Sequence, residues 1–130
     1  MTTTHFLQPE GLFRGNFSHV AKVQGGTTIY VSGQVAFDEE GKVAGSTFAE
    51  QTEKVFDNLE RALAGAGARL ANIVKMNIYL RDLTGEKVRI FREIRAARLG
   101  EHKPASTLVA TSALVHEDLM LEIEVVAVLP

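Results

Sequence analysis

Cysteine is absent from the 130-residue sequence, and so is any excess of positive charge. Without cysteine the chain has no disulfide, no thiol nucleophile and no cysteine-ligated metal, which fits a cytoplasmic location. The 14 basic and 16 acidic residues give a net charge of −2, so no global basic field attracts nucleic acid. Long apolar runs are missing too, and the first residues lack the pattern of a signal peptide, so we expect no membrane partner.

Repeats and low-complexity tracts are also missing, which leaves one folding unit. The hydrophobic content of 45% and the charged content of 23% are those of an ordinary globular protein. A length of 130 residues fits a single domain over residues 1–130. Residues 1–18 mix glycine, proline and isolated aromatic side chains, which predicts an irregular lead-in.

Two strands are predicted near the end of the chain, at residues 106–112 and 119–129. In the second strand, six aliphatic residues occupy the odd positions and therefore share one face. The other face carries Glu122 and Glu124 among aliphatic residues such as Val126. A face in water does not need these aliphatic residues, and the core of a monomer does not tolerate the carboxylates. We interpret this face as a subunit interface that contains a wet, functional cleft.

The rest of the chain predicts an α+β domain with the order β-β-α-β-α-β-β. Gly25-Gly26 suits a two-residue hairpin turn between the first two strands, and a loop follows at 32–42. The predicted elements are strands at 20–24, 27–31 and 73–80, a helix that starts at a Thr47-x-x-Glu50 capping box, and a helix at 84–99. Two helices cover only one face of one sheet. The second face keeps apolar members, which we place at Tyr30, Tyr79, Leu108 and Val126, so we expect an obligate oligomer.

Several segments of this chain, taken in order and spacing, resemble the YjgF/RidA family of reactive-intermediate deaminases. The segments are IYVSGQ at 29–34, FDNL at 56–59, GAGA at 65–68, YLRDL at 79–83, Pro-Ala at 104–105 and EIEVVAV at 122–128. The resemblance implies a homotrimer with a chorismate-mutase-like fold and small-molecule sites in clefts between subunits. No cofactor is implied.

The resemblance also implies a set of site residues. Archetypal deaminases of this family grip a substrate carboxylate with an arginine directly after the Pro-Ala pair, where this chain has Ser106. The substrate-binding positions here are His19 for a tyrosine, Arg89 for an asparagine, Leu108 for a cysteine, Ser106, and Gly33 of the SGQ motif. The expected catalytic residues, Ser32 and Glu122, match the family. The half of the site that handles water is kept, and the half that grips a carboxylate is not.

Each catalytic candidate has a second interpretation. Desolvation would raise the pKa of Glu122 toward the range useful for general acid–base chemistry, but the same residue could form an interface salt bridge. Glu124 is interpreted as structural. Ser32 has no neighbouring base that would make it a nucleophile, so it is either a hydrogen-bond donor to the substrate or water, or a turn-forming serine.

Ser106 is too short to replace a guanidinium, so we expect weak activity on ordinary 2-imino acids unless another cation reaches the cleft. Arg89 is the obvious substitute. However, the arginines of the second helix step by three among glutamates, which indicates a solvated, ion-paired face. We favour that interpretation for Arg92, Arg95 and Arg98 and leave Arg89 open. His19 is either a cleft residue or a packed histidine at a strand end, and the other histidines lack metal-ligand spacing, so no metal is expected.

Three functions remain as hypotheses. The first is an enzyme that adds water to an imine, enamine or related bond, with Glu122 and Ser32 in the site. The second is a non-catalytic metabolite-binding or regulatory trimer, which the missing arginine motivates. The third is a ribonuclease or translation inhibitor, labels that some relatives have carried, and the acidic balance gives it little support.

Overall fold

A computed structural model describes residues 1–130. Its elements, in chain order, are β1 (Thr3–Leu7), β2 (Val20–Gln24), β3 (Thr27–Gln34), α1 (Phe48–Gly65), a 3₁₀ turn (Leu70–Asn72), β4 (Ile73–Arg81), α2 (Gly85–Leu99), β5 (Ala105–Thr111) and β6 (Leu121–Leu129). Neither helix has the length and apolar composition that a membrane crossing needs.

The alternating strand β6 lies inside a four-stranded sheet of order β3-β6-β4-β5. It pairs antiparallel with β3 on one side and with β4 on the other. Strands β4 and β5 are parallel and are connected through α2, as a crossover requires. The last segment of the chain therefore connects the two halves of the sheet.

The two helices pack on one face of this sheet, as predicted. In β6, Leu121, Ile123 and Val125 are at most 3% exposed and belong to the same core as Phe56 of α1 and Phe91 of α2. Burial of each such side chain contributes about 1.5–3 kcal/mol. The prediction of a mixed α+β domain with two helices on one sheet face is confirmed.

The predicted capping box begins α1. Thr47 Oγ1 accepts a hydrogen bond from the backbone N–H of Glu50 at 3.1 Å, and a carboxylate oxygen of Glu50 accepts one from the backbone N–H of Thr47 at 3.0 Å. These two bonds satisfy donors that the first turn of a helix leaves free. Hydrogen bonding to the charged form lowers the pKa of Glu50.

The prediction of an irregular lead-in at residues 1–18 is wrong, because β1 lies within it and pairs antiparallel with β2. The element order is therefore β-β-β-α-β-α-β-β. The sequence did not predict this strand, because it is short and only half-buried. Its Thr-Thr-His-Phe-Leu sequence also alternates weakly between apolar and polar side chains.

The predicted hairpin at Gly25-Gly26 is only half right. Both glycines have positive φ (76° and 80°), as a tight turn requires, but the strands that they join enter different sheets. A Cβ added at Gly25 would lie 2.5 Å from the carbonyl oxygen of Met1, and one at Gly26 would lie 2.5 Å from that of Leu129. Two other backbones thus approach this turn, and only glycine leaves room for them.

The second face of the sheet has no helix over it. It carries Tyr30, which is 80% exposed, together with Tyr79, Val126 and Val109, which is 44% exposed. Leu108 is not part of this face, contrary to expectation. It pairs with Ile78 in the parallel register of β4 and β5, so it points toward the helices.

Candidate functional site

A β-bulge brings Ser32 and Gly33 beside the acidic part of β6. Val31 pairs with Val125 and Gln34 pairs with Ile123, so two residues of β3 lie opposite one residue of β6. The predicted loop at 32–42 therefore starts later, because its first three residues continue β3 through this bulge. The Ser32 side chain is left exposed at the uncovered sheet face.

Gly33 lies in direct contact with the carboxylate of Glu122. A Cβ built on Gly33 would be 1.9 Å from Oε2 of Glu122, closer than any real contact. The φ of Gly33 is not positive, so the reason for glycine here is space rather than backbone conformation. The bulge and the missing side chain together make room for the carboxylate.

Glu122 and Glu124 lie on the same face but differ in their partners. Glu124 accepts hydrogen bonds from the hydroxyl of Tyr79 at 2.6 Å and from the amide of Asn77 at 3.3 Å. Glu122 has no hydrogen bond and no ion pair. Burial raises the pKa of Glu122, and the nearby charge of Glu124 raises it further. Glu124 is therefore held by the sheet, as expected, whereas Glu122 is free to meet a ligand or a water molecule.

The other half of the predicted site lies on the opposite side of the sheet. Ser106 pairs with Met76 of β4 and points toward α2, as Leu108 does. Both residues line a cleft of about 630 Å³ between β5, α2 and the segment before β2. The lining residues are Phe13, Gly15, Asn16, Phe17, Val88, Phe91, Arg92, Arg95, Ser106 and Leu108. Within one chain, Ser106 and Glu122 do not share a cavity.

Arg95 is the residue of this cleft that sequence reasoning missed. Its Nη1 donates a hydrogen bond to Oγ of Ser106 at 2.9 Å, and only 5% of the residue is exposed. Burial lowers the pKa of Arg95 to about 10, so the group stays charged at neutral pH. The spacing Phe91, Arg95, Leu99 is the buried stripe of α2, and that four-residue step was the available signal.

The other arginines of α2 follow the predicted ion-paired interpretation more closely. Arg89 forms an ion pair with Glu93 at 3.0 Å, is 60% exposed and does not line the cleft. Arg92 is exposed at the cleft. Arg98 pairs with three carboxylates, but they belong to α1 rather than to its own helix. The prediction of a solvated face is wrong for Arg95.

His19 lies behind the cleft rather than in its lining. Its ring packs edge-on against Phe17 at 5.2 Å between centroids, and its Nε2 is hydrogen-bonded to the carbonyl oxygen of Phe13. The first contact packs His19 against the side chain of Phe17 in the cleft wall, and the second holds the backbone of Phe13. Of the two predicted interpretations, the structure shows the packed histidine.

Comparisons with known proteins agree with this architecture. The sequence model of the family described as endoribonuclease L-PSP matches residues 12–129. A RutC family protein of Pyrococcus abyssi is 36% identical over 114 residues, which cover 87% of this chain and 86% of that protein. The mitochondrial protein MMF1 of Saccharomyces cerevisiae is 35% identical over 100 residues, which cover 77% of this chain and 67% of that protein.

A solved structure gives the same result for the fold. YyfB from Yersinia pestis, a protein of the conserved Rid family, has a TM-score of 0.90 and 28% sequence identity, with 97% of this chain and 98% of that chain covered. The matched segments include both strands of the bulge and the whole helix-covered sheet. The chain therefore belongs to the YjgF/RidA family, which is also described as endoribonuclease L-PSP, and it has the fold of that family.

Proposed function

We propose that this protein hydrolyses a polarised C=N bond of a small molecule, an imine or the imine tautomer of an enamine, in a cleft between neighbouring copies of the chain. The observation that carries the proposal is the free carboxylate of Glu122 beside Ser32 and Gly33, with its pKa raised by burial. A carboxylate in that state exchanges protons nearer neutral pH than an ordinary one.

The position of the two half-sites supports a shared cleft. Glu122 faces one side of the sheet, and the Ser106 cleft opens on the other side. One substrate can reach both only if the uncovered face of one copy meets the cleft edge of the next. A closed homotrimer satisfies this arrangement, and it buries the apolar residues that no helix covers, such as Tyr30.

The chemical steps follow from the groups present. The imine reacts in its protonated form. A water molecule attacks its carbon while Glu122 accepts one of the water protons, and the C=N bond becomes single. Glu122 then donates that proton to the amine nitrogen, the C–N bond breaks as the hydroxyl group loses its proton to solvent, and the products are a carbonyl compound and ammonia. The hydroxyl of Ser32 donates a hydrogen bond to the oxygen that gains charge.

The test uses Glu122→Gln with Glu124→Gln as the matched control. An amine oxidase generates imines without a carboxylate, an amino-acid oxidase generates 2-imino acids, and ammonia release from each is compared with spontaneous hydrolysis. Gln keeps the shape of the residue but exchanges no proton, so we expect Glu122→Gln to lose about 10²–10⁴-fold in rate. Turnover of Glu122→Gln equal to the wild-type rate in an intact assembly would exclude the catalytic role.

A second candidate is a non-catalytic metabolite-binding trimer. Ser106 favours this candidate, because the archetypal deaminases of the YjgF/RidA family carry an arginine at this position. Saturable binding of a metabolite with no ammonia release from any imine tested would favour this candidate over the enzyme.

Nucleic-acid binding has less support. The net charge is −2, and Arg89 and Arg98 are paired with carboxylates. Salt-dependent RNA binding at physiological ionic strength would contradict this view. We keep a cytoplasmic location as part of the proposal, although the yeast relative MMF1 is described as mitochondrial.

A further inference from the structure

Arg95 is the only charged residue that is fully buried in this structure. No carboxylate lies within ion-pair distance of its guanidinium, although the neighbouring arginines Arg89 and Arg98 both have acidic partners. Burying an ion away from water is unfavourable unless an opposite charge or a full set of hydrogen bonds compensates for it. The chain keeps this charge without such compensation.

The hydrogen bonding of Arg95 is incomplete in a specific way. Nη1 donates to Oγ of Ser106, which fixes the guanidinium against β5. Nη2 is buried and has no hydrogen-bond partner. A native protein rarely leaves a buried donor unpaired, so each such group needs an explanation. An unpaired charged donor in the wall of a cleft points to an anionic ligand.

The rest of the cleft wall is suited to an apolar body. Three aromatic side chains, Phe13, Phe17 and Phe91, surround the space together with Leu108. Its volume of about 630 Å³ is in the range of small-molecule sites. A guanidinium in the wall of an aromatic cleft matches a ligand with a charged end and an apolar remainder.

We propose that Arg95 binds the carboxylate of a small-molecule ligand whose apolar part packs between the phenylalanine side chains of this cleft. The identification of that ligand as the substrate rests on the proposed function, but its binding does not. A carboxylate fits better than a phosphate, because one guanidinium and one hydroxyl match a planar, singly charged group.

The ligand has to displace a side chain to reach Nη2, because that atom is closed from solvent. Phe13 is the most exposed aromatic side chain of the wall, with 75% of its surface exposed. Closing an aromatic wall over the ion pair excludes water and strengthens the electrostatic attraction.

This assignment changes the expected substrate class. Weak activity on 2-imino acids was predicted because Ser106 cannot pair with a carboxylate, unless another cation reaches the cleft. Arg95 supplies a cation to Ser106 itself. Acids with apolar side chains become the expected ligands, and small hydrophilic acids the poor ones.

The first experiment is calorimetric titration of the intact protein with four probes: phenylacetate, phenylacetamide, acetate and inorganic phosphate. We expect phenylacetate to bind, the neutral amide to bind at least about 30-fold more weakly, and acetate to bind weakly because it lacks an apolar body. Equal binding of acid and amide overturns the proposal. Tighter binding of phosphate than of phenylacetate also overturns it, as does no binding of phenylacetate.

The second experiment locates the binding charge with three variants. Arg95→Gln should weaken phenylacetate binding at least about 30-fold. Arg61→Gln is the matched control, an exposed arginine on α1 outside this cleft, and its binding should equal that of the wild type. If Arg92→Gln abolishes binding and Arg95→Gln does not, the exposed arginine holds the ligand and the proposal is wrong.

A double variant that exchanges the residues at positions 95 and 106 keeps the proposal testable if a single variant fails to fold. Because Nη1 of Arg95 lies within 2.9 Å of Ser106, the two positions share one region of the cleft. The double variant with Arg95→Ser and Ser106→Arg returns a guanidinium to it from β5, and we expect phenylacetate binding within about tenfold of the wild type. A folded double variant that binds nothing overturns the proposal.

Arg95 could instead face a carboxylate of a neighbouring copy. In that case Arg95→Gln dissociates the assembly and the wild type does not bind phenylacetate, which overturns the ligand assignment. Failure of this proposal is also separable from failure of the proposed function. Ammonia release from imines without carboxylate binding leaves the enzyme intact, whereas carboxylate binding without ammonia release leaves only a binding protein.

Discussion

At the scale of single residues, Glu122 and Glu124 show how two identical side chains on one strand take different roles. Glu124 receives hydrogen bonds from Tyr79 and Asn77 and belongs to the sheet. Glu122 has neither, and it lies against a glycine that leaves room for it. Both residues pair with β4 in the sheet, but the carboxylate of Glu124 is bonded to side chains of β4, whereas that of Glu122 lies against the bulge of β3.

The raised pKa of Glu122 predicts a pH-dependent stability. The pKa of Glu122 in the folded chain lies above the ordinary value of 4.5. The contribution of its carboxyl group to the stability of the fold is therefore fully present below that value, and it is lost as the pH rises through the raised pKa. Glu122→Gln stays neutral at every pH. We expect its melting temperature to match the wild type near pH 4.5 and to exceed it at about pH 7.5.

The same melts separate the two interpretations of Glu122. If the carboxylate formed an ion pair with a cation of a neighbouring copy, removing its charge would leave that cation unpaired and would cost about 3–5 kcal/mol. A lower melting temperature of Glu122→Gln at neutral pH would therefore contradict the free-carboxylate interpretation.

Gly33→Ala tests the contact between the bulge and the carboxylate. The new Cβ would displace Glu122, so we expect a loss of imine hydrolysis together with about 1–3 kcal/mol of stability. Gly65→Ala is the matched control, because its Cβ meets no atom within 4 Å at the end of α1. That variant should keep its activity and its stability, as measured by rate assays and urea unfolding.

Residue roles were only partly predictable from the sequence. Glu122 became a candidate because a carboxylate in an aliphatic strand is unusual in itself. Arg95 was missed because arginines at steps of three resemble a solvated stripe, and only the partners across space distinguish one from the next. The acids that pair with Arg98 lie more than 35 residues away, on α1, and no local pattern shows them.

At the scale of elements, the position of α2 is set by side-chain contacts on two of its sides. One side buries Phe91 and Leu99 in the core. The other side holds Arg98, whose guanidinium contacts the acidic row of α1 at 2.8–3.3 Å. This contact fixes the helices relative to each other, and so it also fixes the helix that carries Arg95.

Arg98→Met tests this contact between the helices. The methionine keeps the apolar stem but leaves Glu53, Asp57 and Glu60 to repel each other, so we expect a loss of about 1–2 kcal/mol in urea unfolding. The loss should shrink at about 1 M salt, because salt screens exposed charges. Arg92→Met, an exposed position without an ion pair, should change stability by less than about 0.5 kcal/mol. Equal losses in both variants would contradict the ion-pair explanation.

Elements with a strong period were predictable, and elements without one were not. The alternation in β6 and the capped, three- and four-step pattern of α1 gave their existence and type correctly. Strand β1 was missed because it is short and alternates weakly, and the end of β3 was missed because its partner β6 lies at the other end of the sequence. The face of Leu108 was missed for the same reason, since its direction depends on the register with β4.

At the scale of the whole molecule, the uncovered sheet face predicts an oligomer. We expect sedimentation to give a mass of three chains at micromolar concentration. Tyr30→Lys places a charge on the uncovered face at a residue that is already exposed in one chain, so it should dissociate the assembly without unfolding the monomer. Leu83→Lys, in the turn between β4 and α2, is the control and should stay assembled. A wild type that sediments as a stable monomer would refute the shared cleft.

The two half-sites on opposite faces of one sheet also have a genetic consequence. An allele with Glu122→Gln and an allele with Arg95→Gln each encode a chain that is defective on one face only. Co-expressed in one cell, the two mutant chains would assemble at random, and about a quarter of the clefts would combine two intact halves. The two inactive alleles should therefore restore partial activity together, whereas a single chain that carries both substitutions should restore none.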